Sequence, residues 1–211
     1  MAENQNLQFF SWSIHAATGG VEKMRNSQML NYEESGMSVM EMSHRSKAYD
    51  AIITKTQERM RSIMNIPDNY KVLFLQGGAT SQFSMVPLNL LQKGTADYVV
   101  TGYFANKAYA EAKKYGDIVL AGSSKDADYS YIPAQQELQL NKNADYVYLC
   151  ANNTIYGTEW KYVPETNGVP IVADMSSDIL SKPVDVSKFG IIFAGAQKKH
   201  GMCRIDSCDC S

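Results

Sequence analysis

The sequence lacks several features that would place the protein in other classes. None of its apolar runs reaches the roughly 18 residues that a membrane-spanning helix needs. The N-terminus has no basic stretch followed by an apolar core, so no signal peptide is expected. The net charge is −2, which favours neither nucleic acid nor an anionic membrane as a partner. We therefore expect a cytoplasmic protein with neither nucleic acid nor a membrane as its partner.

Cysteine is also scarce. Cys150 lies in a strand-like run, and Cys203, Cys208 and Cys210 crowd together near the end. So few cysteines are typical of a reduced, cytosolic protein. His200 and the three terminal cysteines do not form the two separated ligand pairs of a structural zinc site. We assign no metal ligands.

The composition that remains is that of one globular domain, with 45% hydrophobic and 20% charged residues. An amphipathic pattern predicts a helix over 47–65, and Pro67 follows it. Short apolar segments then alternate with helices or long connections, which predicts an α/β fold with a mainly parallel sheet. The predicted helices cover 80–94 and 104–116, and the predicted strands cover 71–78, 96–102, 117–123, 144–152, 169–177 and 189–195.

Small polar clusters follow almost every predicted strand. In a parallel sheet the carboxyl ends of the strands share one edge, where such folds bind ligands. Gly77 and Gly78 precede a helix whose N-terminus could bind an anion. Each feature also has an ordinary explanation: the glycines form a tight turn, Asp174 caps a helix, Phe104 packs in the core and Lys198 is solvated.

Six long motifs, in order along residues 29–198, favour the ligand-binding explanations over the ordinary ones. They are LNYEESGMSVMEMSHRS, NYKVLFLQGGATSQFSMVPLNLL, ADYVVTGYFANKAYAEAKKYG, NNTIYGTEW, VPIVADMSSDILSKPVDVSKFG and FAGAQK. This part of the chain closely resembles the phosphoserine aminotransferase family, whose members depend on pyridoxal 5'-phosphate (PLP) and have the aspartate-aminotransferase fold type.

The resemblance implies a fold, a cofactor and a reaction. The fold is the three-layer α/β/α large domain of PLP-dependent transferases, without the small C-terminal domain. The reaction transfers an amino group between glutamate and 3-phosphohydroxypyruvate, giving O-phosphoserine and 2-oxoglutarate in serine biosynthesis. The intact enzyme is expected to be a homodimer.

The resemblance also implies roles for residues that would hold the cofactor ring. Lys198 would form the Schiff base with PLP and then shuttle a proton. Asp174 would pair with the protonated pyridine nitrogen. Phe104 would stack on the ring, at a position where relatives often have tryptophan.

Further residues would hold the polar groups of the cofactor. Ala79 and Thr80 open the helix that would take the PLP phosphate, and Ser176 and Gln197 would assist. Thr154 would hold the polar edge of the ring.

His44 and Arg45 would contact an anionic group of the substrate, since a guanidinium pairs with carboxylate or phosphate through two hydrogen bonds. Two alternatives stay open beside this one. The chain could belong to a related PLP transaminase with another substrate, or it could be a non-catalytic fragment of the PLP fold.

The two ends depart from the family pattern. One allowed coding of 197–210 becomes QKNMGCAGLTRVIV, the family's continuation, when one A is removed from a run of A. Residues 7–20, read one base later, likewise give the family-like YNFSAGPSMLPRE. We therefore interpret 1–20 and 199–211 as out of frame and 21–198 as an incomplete PLP-binding domain.

This interpretation has a physical consequence. By resemblance, the strand that should follow Lys198 lies inside the sheet, between the strands at 71–75 and 189–193. Each unsatisfied buried backbone group costs about 1–3 kcal/mol, against a total stability of about 5–15 kcal/mol. The chain as written is thus expected to fold poorly and to be inactive.

Overall fold

The computed structural model describes residues 10–11, 31–75 and 77–195. Two compact units make up the chain: one joins Met1–Ile14 to Pro67–Ser211, and the other is His15–Ile66. The helices are α1 (Lys47–Met64), α2 (Ala79–Leu90) and α3 (Tyr103–Ala112). The strands are β1 (Phe10–Ser11), β2 (Phe74–Leu75), β3 (Thr95–Val100), β4 (Asp117–Ser123), β5 (Val147–Cys150), β6 (Asn152–Asn153), β7 (Thr158–Glu159), β8 (Ile171–Asp174) and β9 (Ile191–Phe193).

In the unit His15–Ile66, the main described element is the helix α1. Ser46 caps this helix, since its Oγ accepts a hydrogen bond from Tyr49 N at 3.2 Å. Asn65 ends the helix in the left-handed conformation, with φ +50°. Met60 and Met64 are its buried side chains. The helix predicted over 47–65 is confirmed.

The larger unit is built on a parallel sheet of five strands in the order β4-β3-β5-β8-β9. Its central strands are short apolar runs; every residue of β5, β8 and β9 is buried. Strands buried on both faces are typical of parallel sheets covered by helices. The predicted α/β class with a mainly parallel sheet is confirmed.

The first predicted strand, over 71–78, differs from the expectation. Its strand is only β2, which pairs in parallel with β1 in a separate two-stranded ladder. Tyr70, just before it, is buried and donates its hydroxyl to the Phe189 carbonyl at 2.9 Å. This hydrogen bond holds the segment beside the start of β9, although β2 and β9 do not form a ladder with each other.

A column of tyrosines fills the core of the larger unit. The ring of Tyr98 stacks on that of Tyr148 at a centroid distance of 4.7 Å and meets the edge of Tyr146 at 5.8 Å. The hydroxyls of Tyr98 and Tyr146 are 2.8 Å apart and hydrogen-bonded. Burial raises the pKa of both phenols, so they stay neutral at physiological pH.

The chain between β5 and β8 contains a feature that the sequence prediction missed. Asn152–Asn153 and Thr158–Glu159 form a small antiparallel hairpin. Gly157 lies in its turn at φ +70°, a conformation that glycine adopts without strain. Across the described ranges, no helix is long and apolar enough to cross a membrane.

Asp178 is a buried acid in the loop after β8. Its side chain is 7% exposed. Burial raises its pKa to about 6, the nearby Lys182 ammonium opposes that rise, and the carboxylates of Glu159 and Asp174 add to it. The folded protein therefore binds a proton at Asp178 more tightly than the unfolded chain does.

We predict that Asp178→Asn becomes increasingly stabilising as pH rises from 4 to 7. Below the unfolded pKa near 3.8 both states are protonated at Asp178. Between pH 3.8 and about 6 the unfolded chain loses this proton while the folded state keeps it, which removes about 3 kcal/mol of stability. Urea unfolding of both proteins across this pH range measures the difference.

Asp185→Asn is the matched control in the same loop. Asp185 is exposed, and a hydrogen bond from Ser187 lowers its pKa. Its stabilising effect is present at high pH and is lost as pH falls, so its pH trend has the opposite sign. Equal trends for the two variants would contradict the assignment of Asp178 as a buried, proton-binding acid.

Candidate functional site

A cavity of about 160 Å³ lies at the carboxyl edge of the sheet. We call it the site cavity. Because the carboxyl ends of parallel strands meet at one edge, loops from three strands contribute to it, together with the first residues of α2 and α3. Its lining residues are Gly78, Ala79, Thr80, Phe83, Phe104, Cys150, Asn152, Thr154, Asp174, Ser176, Ser177 and Gly195.

Asp174 is the buried acid of the site cavity. It is the last residue of β8 and is aligned with Cys150 of β5 on one side and Phe193 of β9 on the other. Its side chain is 3% exposed, and its Oδ1 accepts a hydrogen bond from Ser176 N at 2.9 Å. A carboxylate held this way has a fixed direction at the floor of the cavity.

Ser176 joins the loop after β8 to the end of β9. Its Oγ accepts a hydrogen bond from Gly195 N at 2.9 Å. Gly195 in turn lies against the start of α2, because a Cβ added to it would be 2.9 Å from the Cβ of Ala79. This close approach requires glycine and brings the exit of β9 next to the N-terminus of α2.

The N-terminus of α2 opens into the cavity. Its N-cap is Gly78, which has no side chain to fill the terminus, and the first turn contains no acidic residue. The first backbone N–H groups of a helix lack intrahelical acceptors, and the helix dipole makes this end positive. Gly78, Ala79 and Thr80 thus offer the cavity a helix end of the kind that suits an anion such as a phosphate.

Phe104 supplies the aromatic surface of the site. It is the second residue of α3, its side chain is 44% exposed, and its ring lies edge-on to Tyr103 at 5.3 Å. The preceding Gly102 is extended, with φ 178°, so its conformation does not require glycine. The packing around Gly102 requires glycine, because a Cβ there would be 2.6 Å from Asn153 Oδ1.

Hydrogen bonds between loops hold the mouth of the cavity. Asn152 Nδ2 donates to Ser177 Oγ at 2.8 Å, and Ser177 Oγ donates back to the Asn152 carbonyl at 2.9 Å. Asn153 Nδ2 donates to Thr101 Oγ1 at 3.0 Å. The sequence did not predict these hydrogen bonds. Polar clusters at the strand ends could be recognised, but the hydrogen-bonded pairs join segments that are far apart in the sequence.

The residues predicted from the sequence are distributed as follows. Six of the seven predicted cofactor-binding residues line the site cavity; they are Ala79, Thr80, Phe104, Thr154, Asp174 and Ser176. Gln197 and Lys198 lie outside the described residues.

His44 and Arg45 are exposed and lie just before the N-cap of α1, in the other compact unit. In the described part of the chain, no group of three acidic, histidine or cysteine side chains could hold a metal ion.

The donor set matches a cofactor that carries a phosphate and a basic aromatic ring. The helix terminus suits the phosphate, the Phe104 ring suits an aromatic face, and the buried Asp174 carboxylate suits a protonated ring nitrogen. These are the groups of PLP, so the residues present fit it.

Comparison with known proteins gives the class of protein that this fold and cavity define. The sequence profile of the class-V aminotransferases matches residues 15–203, which is most of the chain. The chain belongs to this family.

Its individual relatives are more specific. The phosphoserine aminotransferase of Ectopseudomonas mendocina is 53% identical over 176 residues, covering 83% of this chain and 49% of that protein. The solved structure of phosphoserine aminotransferase from Bacillus circulans subsp. alkalophilus has a TM-score of 0.83 at 46% identity, covering 87% of this chain and 51% of that one. The PLP-bound phosphoserine aminotransferase from Trichomonas vaginalis has a TM-score of 0.79 at 34% identity, covering 87% and 52%. The chain spans about half the length of these relatives.

We predict that Gly102→Ala destabilises the protein through a clash with Asn153. A methyl group 2.6 Å from Asn153 Oδ1 forces a local shift, which costs about 1–3 kcal/mol in a packed site. Chemical denaturation measures the loss.

A double-mutant cycle supplies the control. Asn153→Ala removes the atom that the new methyl group meets, so Gly102→Ala costs less in that background. Strict additivity of the two changes would contradict the proposed contact.

Proposed function

We propose that the chain contains the cofactor-binding part of a PLP-dependent phosphoserine transaminase. One observation carries this proposal: an open helix N-terminus, a buried carboxylate and an aromatic ring surround a single cavity at the sheet edge. Membership of the class-V aminotransferases and the names of the similar proteins support it.

The phosphate of the cofactor would bind at the start of α2. The backbone N–H groups at Ala79 and Thr80 would donate to its oxygens, and Ser176 and Gln197 would contribute polar side chains. The close contact of Gly195 with Ala79 keeps the strand end beside this terminus. A negative charge placed here is stabilised by the helix dipole.

Asp174 and Phe104 would hold the ring. Bound PLP supplies an electron sink for the negative charge left when the amino acid loses its Cα proton. Asp174, fixed by its bond from Ser176 N, keeps the ring nitrogen protonated and so maintains that sink. Phe104 covers a ring face with less area than tryptophan would, and Thr154 contacts the polar edge of the ring.

Lys198 would be the covalent and proton-transferring residue. It follows Gly195, which lines the cavity, by three residues. The Lys198 amine would hold the cofactor covalently, and its Nζ would accept and return the Cα proton of the substrate.

The substrate assignment rests on the relatives and on His44 and Arg45. The relatives are named for phosphoserine, which carries a phosphate and a carboxylate. The guanidinium of Arg45 would pair with one of these groups, with His44 beside it. Glutamate and 3-phosphohydroxypyruvate would be the substrates in the direction of synthesis, and the complete enzyme would act as a homodimer.

We predict that Lys198→Ala removes the covalent attachment of PLP. The chain is incubated with substoichiometric PLP, reduced with borohydride and digested. Peptide mass spectrometry then locates the modified lysine. The native chain is expected to carry the cofactor mass on Lys198.

Lys199→Ala is the matched control, since it removes an adjacent lysine of the same type. It is expected to keep the modification that Lys198→Ala loses. Equal labelling of the two variants, or scattered labelling of exposed lysines, would refute the role of Lys198 and would favour a non-catalytic fragment.

We predict that the PLP-loaded enzyme, with the reading frame after Lys198 restored, prefers phosphoserine to alanine and aspartate as amino donor, whereas the chain as written shows no transamination. The measurement is the release of the corresponding 2-oxo acid, with 2-oxoglutarate as amino acceptor. Arg45→Gln should lower kcat/KM for phosphoserine about 10–100-fold, because it removes a charge-assisted pair.

Arg59→Gln, on the exposed part of α1, is the control and should leave kcat/KM unchanged. A preference for alanine or aspartate would favour a related transaminase with another substrate. A complete lack of 2-oxo acid release from the PLP-loaded, frame-restored enzyme would contradict the transaminase assignment.

A further inference from the structure

Two buried polar residues lie behind the site cavity, next to residues that line it. Thr101 is 0% exposed and precedes Phe104 by three residues, and Asn153 is 5% exposed and directly precedes Thr154. Phe104 and Thr154 line the site cavity, whereas Thr101 and Asn153 do not. Any effect of the two buried residues on a bound molecule must therefore act through their neighbours.

The side chains of Thr101 and Asn153 are hydrogen-bonded to each other. Asn153 Nδ2 donates to Thr101 Oγ1 at 3.0 Å, and it also donates to Thr158 Oγ1 of β7 at 3.2 Å. Buried polar groups that are hydrogen-bonded in this way have a fixed orientation. The bond between Thr101 and Asn153, which we call the positioning pair, thus joins the segment before α3 to the hairpin of β6 and β7.

On the hairpin side, the backbone of Asn153 shapes the turn that contains Thr154. The Asn153 carbonyl accepts hydrogen bonds from Tyr156 N at 3.0 Å and from Gly157 N at 2.9 Å. These bonds close the turn directly after Asn153. Thr154 is itself exposed, so its position follows from that of the buried residue before it.

On the helix side, the start of α3 packs against the same asparagine. The closest approach is that of Gly102, the N-cap, which follows Thr101. Phe104 is the second residue of α3 and is 44% exposed, so burial of its ring does not fix its position. The position of Phe104 depends on Thr101 and Gly102, which are both buried against Asn153.

We propose that Thr101 and Asn153 are positioning residues for the cofactor ring, an inference that rests on the function proposed above. In that function Phe104 covers a face of the ring and Thr154 contacts its polar edge. The positioning pair sets the separation of these two contacts, so that both fit one planar ring. A site of this kind needs supporting hydrogen bonds, because small errors in the position of its contacts loosen the ligand.

Thr101→Val is the first test, because valine has nearly the shape of threonine but lacks the hydroxyl. PLP is titrated into the full chain, and its Kd is measured by absorbance. Visible circular dichroism per bound PLP is measured at saturation. Loss of the buried hydrogen bond should raise the Kd about tenfold. The circular dichroism per bound PLP should fall, because the ring loses its single orientation. A merely structural loss would lower only the number of binding sites.

Thr166→Val is the matched control. Thr166 is 8% exposed, and its Oγ1 donates to the Val169 carbonyl at 2.6 Å, away from the lining of the site cavity. The same substitution there removes a buried hydroxyl, yet it should change the Kd of PLP less than about twofold and leave the circular dichroism per bound PLP unchanged. Thr101→Ser keeps the hydroxyl and should stay within about twofold of the native Kd.

Asn153→Leu removes the other partner of the positioning pair at similar volume. In this background, Thr101→Val should weaken PLP less than about twofold further, because the hydrogen bond is already absent. Equal effects of Thr101→Val and Thr166→Val, unchanged circular dichroism in Thr101→Val, or full additivity with Asn153→Leu overturns the positioning role and leaves the proposed function intact. Absence of saturable PLP binding by the unsubstituted chain overturns the proposed function, and the positioning role with it.

Discussion

The candidate site depends on the register of three parallel strands. Cys150, Asp174 and Phe193 lie side by side at the ends of β5, β8 and β9. Bonds from Ala151 N to the Asp174 carbonyl and from Met175 N to the Phe193 carbonyl continue this alignment past the strand ends. A shift of one residue would turn the Asp174 carboxylate to the opposite face, because side chains alternate along a strand. The acid, the Ser176 loop and the start of α2 meet only in this register.

Much of this edge could be predicted from the sequence, for a physical reason. Parallel strands end at one edge, so the polar residues after each apolar run were expected to converge, and Asp174 and Ser176 lie where that rule puts them. The reciprocal bonds of Asn152 with Ser177 could not be predicted, because they require the relative position of two loops. The segment 71–78 has the same apolar pattern as the other strands, yet its ladder is short, since a ladder depends on its neighbour as well as on its own residues. The interpretation of 1–20 and 199–211 as out of frame stays a prediction.

The burial of Asp178 shows a further limit of sequence reasoning. Asp178 and Asp185 stand seven residues apart in one loop, and nothing in their neighbourhood in the sequence separates them. One is enclosed beside Trp160 with a raised pKa, and the other is exposed with a lowered pKa. Tertiary packing makes this difference. It leaves two buried acids in different surroundings: Asp174 lines the site cavity, and Asp178 lines a second cavity together with Trp160.

The tyrosine column also gives the chain an optical signature. Three of the thirteen tyrosines are in close ring contact in the core; they are Tyr98, Tyr146 and Tyr148. Rings in a fixed asymmetric arrangement couple their electronic transitions, and this coupling disappears when side-chain packing is lost even if secondary structure persists. Near-ultraviolet circular dichroism of the unliganded protein therefore reports directly on the assembly of the sheet beneath the site. It distinguishes a packed core from a loosely collapsed one before any cofactor is added.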